Sequence, residues 1–309
     1  MLINRLFAKN TMNDTVYIMA NNAAIDATIL TKGDIVPAYA RHHGIPLEKI
    51  AAMGDEVIDL PMLATEGLGL VGAPANAQEK VKDAVSKLPN GWISTATVLD
   101  AFLEFYSLAR QRNISHIISD KDGVLLAKGD LSRGAEFASL MQTAGIEGNP
   151  YVMVLTGSSF GQNTKFLKGY GLDERLNANP AVRANPYLLL AENGLIHVDV
   201  LSGNALNFCR ILNPALLAKL KTEFEPEVAG RMEAEIFPAF GFEWSCDADD
   251  QNEKVYHAPK EGMVTFNVPR YFKDGSDYRK SGQAKAYREA VVRIMSETAE
   301  RIRMPYKIL

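Results

Sequence analysis

Cysteine is nearly absent from this sequence of 309 residues: it has two, Cys209 and Cys246, far apart in the chain. Two distant cysteines provide neither a disulfide framework nor a C-x-x-C metal site, so we expect both to be reduced. Long apolar runs are also missing, and no stretch approaches the ~18 residues that predict a membrane span. The apolar start of the chain is too short to predict a signal peptide. These absences predict a cytoplasmic protein without a membrane partner.

A strong excess of one charge is lacking as well. The formal net charge of −4 argues against a general nucleic-acid binder. Apolar residues make up 47% of the chain and charged residues 23%, which is ordinary for a globular protein. The length is sufficient for two domains with separate cores.

What the sequence does contain is a pair of carboxylates that closes an apolar run, in Ser119-Asp-Lys-Asp-Gly123. The β-branched residues of 114–119 predict a buried strand, and Gly123 allows the chain to turn away from its end. Asp120 and Asp122 then lie at the carboxyl edge of a strand, where open α/β sheets bind ligands. Because alternate positions of an extended chain face the same side, the two can serve one metal and one substrate. Taken alone, D-x-D-G is also typical of a hydrated acidic turn.

Three other segments carry groups that complement this pair. They are the acidic segment Gly54–Asp59 with Asp55 and Asp59, the strand-like run Val152–Ser158 with Thr156 and Gly157 at its end, and Lys32 ahead of a helix-like stretch. A backbone N–H at a glycine after a strand can approach an anion. A strand-end threonine or a lysine alone is more often a turn residue or a solvated charge.

Together the four segments resemble the signatures of the haloacid dehalogenase (HAD) superfamily of phosphohydrolases. These signatures are D-x-D-G-[TV]-[LV], a strand-terminal Thr or Ser, a lysine, and G-D-x-x-x-D. Two positions depart from the common pattern. Lys121 stands where a small or apolar residue is commoner, and Ile58 stands where many members have Asn. Neither change removes an atom that the mechanism requires.

The order of the motifs differs from that of the family. The family runs from the aspartate pair through the hydroxyl and the cap to the lysine and the acidic motif, whereas here the lysine and acidic motif come first. We interpret this order as a circular permutation. Residues 90–112 resemble the family's terminal helix and lead into the strand at Ile114. Residues 304–309 predict a strand, and the next element expected after it, a strand that leads to the lysine motif, is offered by residues 15–30. The alternative is a swapped homodimer, in which a second molecule supplies the acidic motif.

The alternation of strands and helices over residues 31–195 predicts an α/β fold with a HAD-like Rossmannoid parallel sheet as catalytic core. Residues 196–309 plus 1–30 mix helices with an antiparallel sheet. They resemble the α+β C2-type cap of the phosphomannomutase, trehalose-6-phosphate phosphatase and Cof-type branches. Glu192-Asn-Gly194 is similar to the junction between core and cap in those branches, although Asn-Gly is also a good hairpin turn.

The resemblance implies a role for each acidic residue. Asp120 would be the nucleophile that forms an aspartyl-phosphate, and it would also ligate the metal. Asp122 would protonate the leaving alcohol, activate water and offer its backbone carbonyl to the metal. Asp55 would complete the ligands of Mg²⁺. Asp59 would lie behind the metal ligands and orient water or Lys32.

The remaining site residues are implied to bind the substrate. Thr156, the Gly157 backbone N–H and Lys32 would hold the phosphoryl oxygens. In the cap, Arg270 and Lys273 lie in a cationic and aromatic segment that would contact the leaving group, with an ordinary charged loop as the alternative.

These expectations predict a Mg²⁺-dependent phosphatase whose partner is a small-molecule phosphate ester, with sugar phosphates as the expected class. A phosphomannomutase-like phosphomutase is the first alternative, and a non-catalytic binding module is the least favoured. No nucleic-acid or membrane partner is expected, and a homodimer is left open.

Overall fold

The computed structural model describes residues 15–21, 23–127, 132–159, 163, 179–184, 189–198, 205–207, 213–247, 250 and 252–309. Among them, the residues from 31 to 207 form one compact unit, and those before 31 and after 207 form a second. No helix in this part of the chain is both long and apolar enough to cross a membrane.

The described strands and helices follow the chain in this order. The strands are β1 Val16–Ala20, β2 Ala24–Thr28, β3 Ile50–Met53, β4 Leu70–Ala73, β5 Gly91–Ile93, β6 His116–Ser119, β7 Tyr151–Leu155, β8 Leu189–Ala191, β9 Ile196–Val198, β10 Ala205–Asn207, β11 Glu243–Ser245, β12 Lys254–Tyr256, β13 Met263–Asn267 and β14 Tyr306–Ile308. The helices are α1 Lys32–His43, α2 Leu60–Leu63, α3 Glu79–Ser86, α4 Val98–Gln111, α5 Gly134–Thr143, α6 Pro180–Ala184, α7 Pro214–Lys219, α8 Glu225–Arg231, α9 Phe237–Phe240 and α10 Gly282–Arg301. Two π-helical turns, Leu220–Phe224 and Met232–Ile236, join α7 to α8 and α8 to α9.

The first unit is built on a sheet with the order β10-β9-β8-β7-β6-β3-β4-β5. The six neighbouring strands β8, β7, β6, β3, β4 and β5 pair in parallel. At the other edge β9 pairs antiparallel with β8, and β10 pairs antiparallel with β9. Residues of β3, β4, β6 and β7 are apolar and buried in nearly continuous runs, as expected for strands covered on both faces. The predicted α/β class with a central parallel sheet is confirmed. The core was predicted to end at residue 195, whereas β9 and β10 extend its sheet beyond that residue.

The strand register brings three chain segments to one edge of this sheet. Met53 at the end of β3 pairs with Ser119 at the end of β6. Ser119 in turn pairs with Val154, next to the last residue of β7. The residues that follow these three strands therefore emerge side by side, because parallel strands run in the same direction.

The second unit contains a four-stranded sheet with the order β13-β2-β1-β14. β13, β2 and β1 pair antiparallel, whereas β1 and β14 pair parallel. Apolar residues of β1 and β2 are buried together with Val291 and Ile294 of α10, which lies against these strands. β11 and β12 form a separate parallel pair.

Two sequence expectations concern residues outside the described ranges, namely the chain start through residue 14 and Cys209. Cys246 is an exposed free cysteine.

Candidate active site

Asp120 is the first residue after β6, in the middle of the sheet edge. Its backbone N–H donates to the carbonyl of Met53 at 2.9 Å, so the turn after β6 is tied to the end of β3. The Asp120 side chain is buried. A carboxylate buried at this position costs free energy unless cations or donors stabilise it.

The turn after β3 is organised around Asp59. The backbone N–H groups of Asp55 and Glu56 donate to Asp59 Oδ2 at 2.9 and 3.0 Å. Gly54 is required here, because a Cβ on it would lie 2.5 Å from the Cβ of Asp59. The result is a compact turn that holds Asp55 at the sheet edge.

Lys32 connects two of these carboxylates. It is the first residue of α1, and its Nζ lies 2.6 Å from Asp59 Oδ1 and 2.5 Å from Asp120 Oδ1. Burial by itself would lower the pKa of Lys32, but the carboxylates of Asp120 and Asp59 outweigh it and raise the pKa above its ordinary value. The lysine therefore stays charged and offsets part of the buried negative charge.

Asp55, Asp59 and Asp120 form a carboxylate cluster. Each offers one oxygen atom, and these atoms lie within 4.8 Å of one another in a single chain. Burial, together with the neighbouring Asp120 and Asp59, raises the pKa of Asp55 to about 9. Burial also raises the pKa of Asp120 to about 7, against the opposing effect of Lys32. Carboxylates held this close together repel one another when ionised, and a bound cation would stabilise them.

Three features of the cluster fit a divalent cation bound through oxygen atoms. Asp55 Oδ1 is buried and has no hydrogen-bond partner among the described residues. The atoms that would ligate the metal are all carboxylate oxygens, which Mg²⁺ prefers as ligands. Gly123 (φ +90°) leaves the space in front of Asp55 open, since a Cβ there would lie 2.1 Å from Asp55 Oδ2. We conclude that these residues can hold a divalent metal.

Asn76 supports the same turn from outside and was missed by the sequence analysis. Its Nδ2 donates to the Gly123 carbonyl at 2.8 Å, and its Oδ1 accepts from the backbone N–H of Val98 at 2.9 Å. It lies in the stretch between β4 and α3, and an asparagine in a loop carries no sequence signal of such a contact.

Asp122 lies beside the cluster without belonging to it. Its side chain is 34% exposed, which suits a group that meets substrate and water. Its Oδ2 accepts from Ser158 Oγ at 2.9 Å and lies 3.3 Å from Lys121 Nζ. The metal contact predicted for its backbone carbonyl stays a prediction.

Thr156 and Gly157 follow β7 at the same sheet edge. Thr156 is buried, and its Oγ1 accepts from the backbone N–H of Ser158 at 3.1 Å, which leaves the hydroxyl hydrogen to be donated. The Thr156 carbonyl accepts from the backbone N–H of Asn193 at 2.9 Å. The Glu192-Asn-Gly194 turn thus supports the loop predicted to bind phosphate.

Arg270 and Lys273 lie in the second unit. Arg270 is exposed, and its guanidinium lies 4.9 Å from the centre of the Tyr271 ring. Lys273 is 85% exposed, with its Nζ 3.2 Å from Glu253 Oε2. Their predicted contact with substrate stays a prediction.

Residues 3–90 match the family model of the haloacid dehalogenase-like hydrolases. This segment contains Lys32, Asp55 and Asp59 and ends before Asp120. The match supports the HAD superfamily and points to a hydrolase. No curated protein and no solved structure matches the chain.

Proposed function

We propose that this protein is a Mg²⁺-dependent phosphohydrolase that removes phosphate from a small phosphorylated metabolite, with sugar phosphates as the substrate class. The observation that carries the proposal is Lys32 held between Asp59 and Asp120, beside a buried cluster in which Asp55 Oδ1 has no hydrogen-bond partner among the described residues. A phosphate monoester carries two negative charges, so its site needs both fixed cations and a metal.

Asp55 and Asp120 would hold the metal, with Asp59 and the Asp122 carbonyl beside it. When bound, the metal neutralises phosphoryl oxygens and so permits an anionic nucleophile to approach. Lys32, the Thr156 hydroxyl and the Gly157 backbone N–H hold the other phosphoryl oxygens in place before reaction.

The reaction has two steps. In the first, a carboxylate oxygen of Asp120 forms a bond to phosphorus while the ester P–O bond breaks, and Asp122 gives its proton to the leaving alcohol. In the second, Asp122 takes a proton from water, whose oxygen attacks phosphorus and displaces the Asp120 carboxylate. Inorganic phosphate leaves, and both aspartates return to their starting state.

We also propose that the chain is a circularly permuted member of the superfamily with a C2-type cap in the second unit. Support comes from β3, which precedes β6 in the chain yet pairs with it directly. The parallel pairing of β1 with β14, which joins segments from both ends of the sequence, is also consistent with such a rearrangement. A cytoplasmic location and the absence of nucleic-acid and membrane partners remain predictions.

The test is a screen of phosphorylated metabolites with Mg²⁺, scored by released phosphate. We expect hydrolysis of one or more sugar phosphates. Asp120→Asn should abolish turnover, because an amide cannot form the acyl-phosphate, and Asp122→Asn should slow it by about 10²-fold to 10⁴-fold. The exposed Asp83→Asn is the matched control and should leave the rate unchanged.

Normal hydrolysis by Asp120→Asn would refute the assignment of the nucleophile. A phosphomutase would instead convert a sugar phosphate into its isomer with little release of phosphate, so the products of each positive substrate should be identified.

A further inference from the structure

Lys121 is a buried cation between the two aspartates of the site. Its side chain is about as buried as that of Asp120, and its Nζ lies 3.3 Å from Asp122 Oδ2. In the sequence Lys121 is only a departure from the common pattern. A buried ammonium is costly without nearby acceptors, so its position calls for an explanation.

A second contact holds the ammonium in place. Lys121 Nζ donates to Asn163 Oδ1 at 3.1 Å. Asn163 is fully buried, and its Nδ2 donates to the carbonyls of Ser158 and Ser159 at 3.2 and 3.0 Å. Asn163 therefore ties the lysine to the loop that follows β7.

That loop returns to Asp122 through a side chain. Ser158 Oγ donates to Asp122 Oδ2 at 2.9 Å, the same oxygen that faces Lys121. Lys121, Asn163, Ser158 and Asp122 thus form a closed network. Networks of this kind hold their members in one arrangement more firmly than isolated contacts do.

We propose that Lys121 is a positioning residue that orients the Asp122 carboxylate for proton transfer to the leaving group. The proposal rests on the phosphohydrolase function proposed above. Oδ2 faces the Lys121 ammonium and accepts from the Ser158 hydroxyl, so both neighbours keep it an acceptor. Because Oδ2 is engaged in this way, Oδ1 is the oxygen left to act on the leaving group.

Orientation matters here because Asp122 is partly exposed, and an exposed carboxylate rotates between several conformers in water. Fixing one oxygen restricts that rotation before substrate arrives. The effect should depend on the leaving group. An alkyl alcohol needs its proton during bond cleavage, whereas p-nitrophenolate leaves readily without one.

The experiment compares wild type with Lys121→Met, which keeps an unbranched chain of similar length and removes the charge. We expect kcat for an alkyl phosphate substrate to fall by about 10-fold to 100-fold, with KM within about two-fold. On p-nitrophenyl phosphate the loss should stay below about three-fold. Lys121→Arg keeps a cation and should recover part of the alkyl phosphate rate, and Ser158→Ala should show the same leaving-group dependence.

Lys87→Met removes an exposed lysine of the same unit and is the control. Equal losses on both substrates in Lys121→Met and Ser158→Ala, or none, would overturn the positioning role. A wild type inactive on every phosphate ester would instead refute the proposed function. In that case crystal structures decide the inference, since an Asp122 side chain unmoved in Lys121→Met would overturn it.

Discussion

At the scale of single residues, the four aspartates of the site differ in what surrounds them. Asp59 uses both oxygens, one toward Lys32 and one toward two backbone N–H groups, so it organises the turn. Asp55 keeps a buried oxygen without a hydrogen-bond partner among the described residues. Asp120 faces the lysine, and Asp122 is partly exposed. The same residue type thus has four different environments, and each environment suits its aspartate to a different role.

Gly123 offers a residue-scale prediction, because a Cβ there would collide with Asp55 Oδ2 in addition to straining the backbone. Gly123→Ala should lower the free energy of unfolding by about 2 to 4 kcal/mol and weaken Mg²⁺ binding at least about 10-fold, since Asp55 must move. Urea unfolding and a Mg²⁺ titration measure the two effects.

Gly148→Ala is the matched control for this change. Gly148 also has a positive φ, +77°, but nothing lies within 4 Å of an added Cβ. Gly148→Ala should lower the free energy of unfolding only by the cost of a positive φ, about 1 to 2 kcal/mol, and should bind Mg²⁺ as the wild type does. Equal Mg²⁺ affinities in the two variants would contradict the proposed crowding at Asp55.

At the scale of elements, the start of α1 places Lys32. Thr31 precedes the helix, and Asp34 Oδ2 accepts from the Thr31 backbone N–H at 2.8 Å and from its hydroxyl at 2.7 Å. Thr31 is the N-cap and Asp34 the third residue of the helix, so the two form a capping box. The cap fixes the first turn, from which Lys32 reaches Asp59 and Asp120.

Gly33 allows this first turn to pack against the segment after Asp59. A Cβ on Gly33 would lie 2.5 Å from the carbonyl oxygen of Pro61. Gly33→Ala should therefore push α1 away from the turn, cost about 1 to 3 kcal/mol of stability and reduce kcat by displacing Lys32. Thermal unfolding and phosphate release measure both.

The comparison variant is Gly230→Ala, also at a helix position but with nothing within 4 Å of the added Cβ. Alanine is the better helix former, so this change should raise stability by up to about 1 kcal/mol and leave kcat alone. If Gly33→Ala behaves in the same way, α1 and the Asp59 turn are less tightly packed than described.

At the scale of the whole molecule, the carboxylate cluster should couple stability to pH. The folded protein raises the pKa of Asp55 from 3.8 to about 9, so the folded state holds a proton that the unfolded state has lost. Stability without metal should then fall as pH rises between about 4 and 9. We expect the Tm in EDTA to drop by several degrees from pH 5 to pH 9.

Under the proposed function Mg²⁺ should reverse that trend, because it would bind the ionised carboxylates and compete with their protons. The gain in Tm on adding Mg²⁺ should be larger at pH 9 than at pH 5. Asp55→Asn should remove most of the Mg²⁺ response and the part of the pH dependence above about pH 7, whereas the raised pKa of Asp120 keeps the part below it. An unchanged Mg²⁺ response in that variant would show that the metal binds elsewhere.

Selectivity for substrate is also a property of the whole molecule. If Arg270 contacts the sugar or a second anionic group, Arg270→Ala should raise KM for the true substrate by about 10-fold and spare p-nitrophenyl phosphate. Lys285→Ala removes another exposed cation of the second unit and should change neither. Equal effects of Arg270→Ala on both substrates, or none, would make this segment an ordinary charged loop.

Much of the site could be predicted from local patterns. An apolar run followed by acidic residues and a glycine predicts a strand and a polar turn, because strand propensity and turn chemistry act over a few neighbouring residues. The ends of β6 and β7 were predicted in this way, and Lys32 was placed ahead of a helix. The α/β class followed from the same alternation.

Other features depend on which distant segments become neighbours, and local patterns do not contain that information. Neither the contact of Asn76 with Gly123 nor that of Lys121 with Asp122 and Asn163 was predicted. Both join parts of the chain through loops whose sequences are compatible with many conformations. The extension of the sheet by β9 and β10 was missed for the same reason.

The amino-acid sequence by itself determined the chemical groups available to the site: a lysine, a hydroxyl and two pairs of carboxylates, carried by four short segments. Only the tertiary structure decided that Asp55, Asp59 and Asp120 meet within one chain although Asp120 lies far from the other two in the sequence. The reason is that residue type and spacing set local conformation, whereas the order of strands in a sheet results from packing between distant segments.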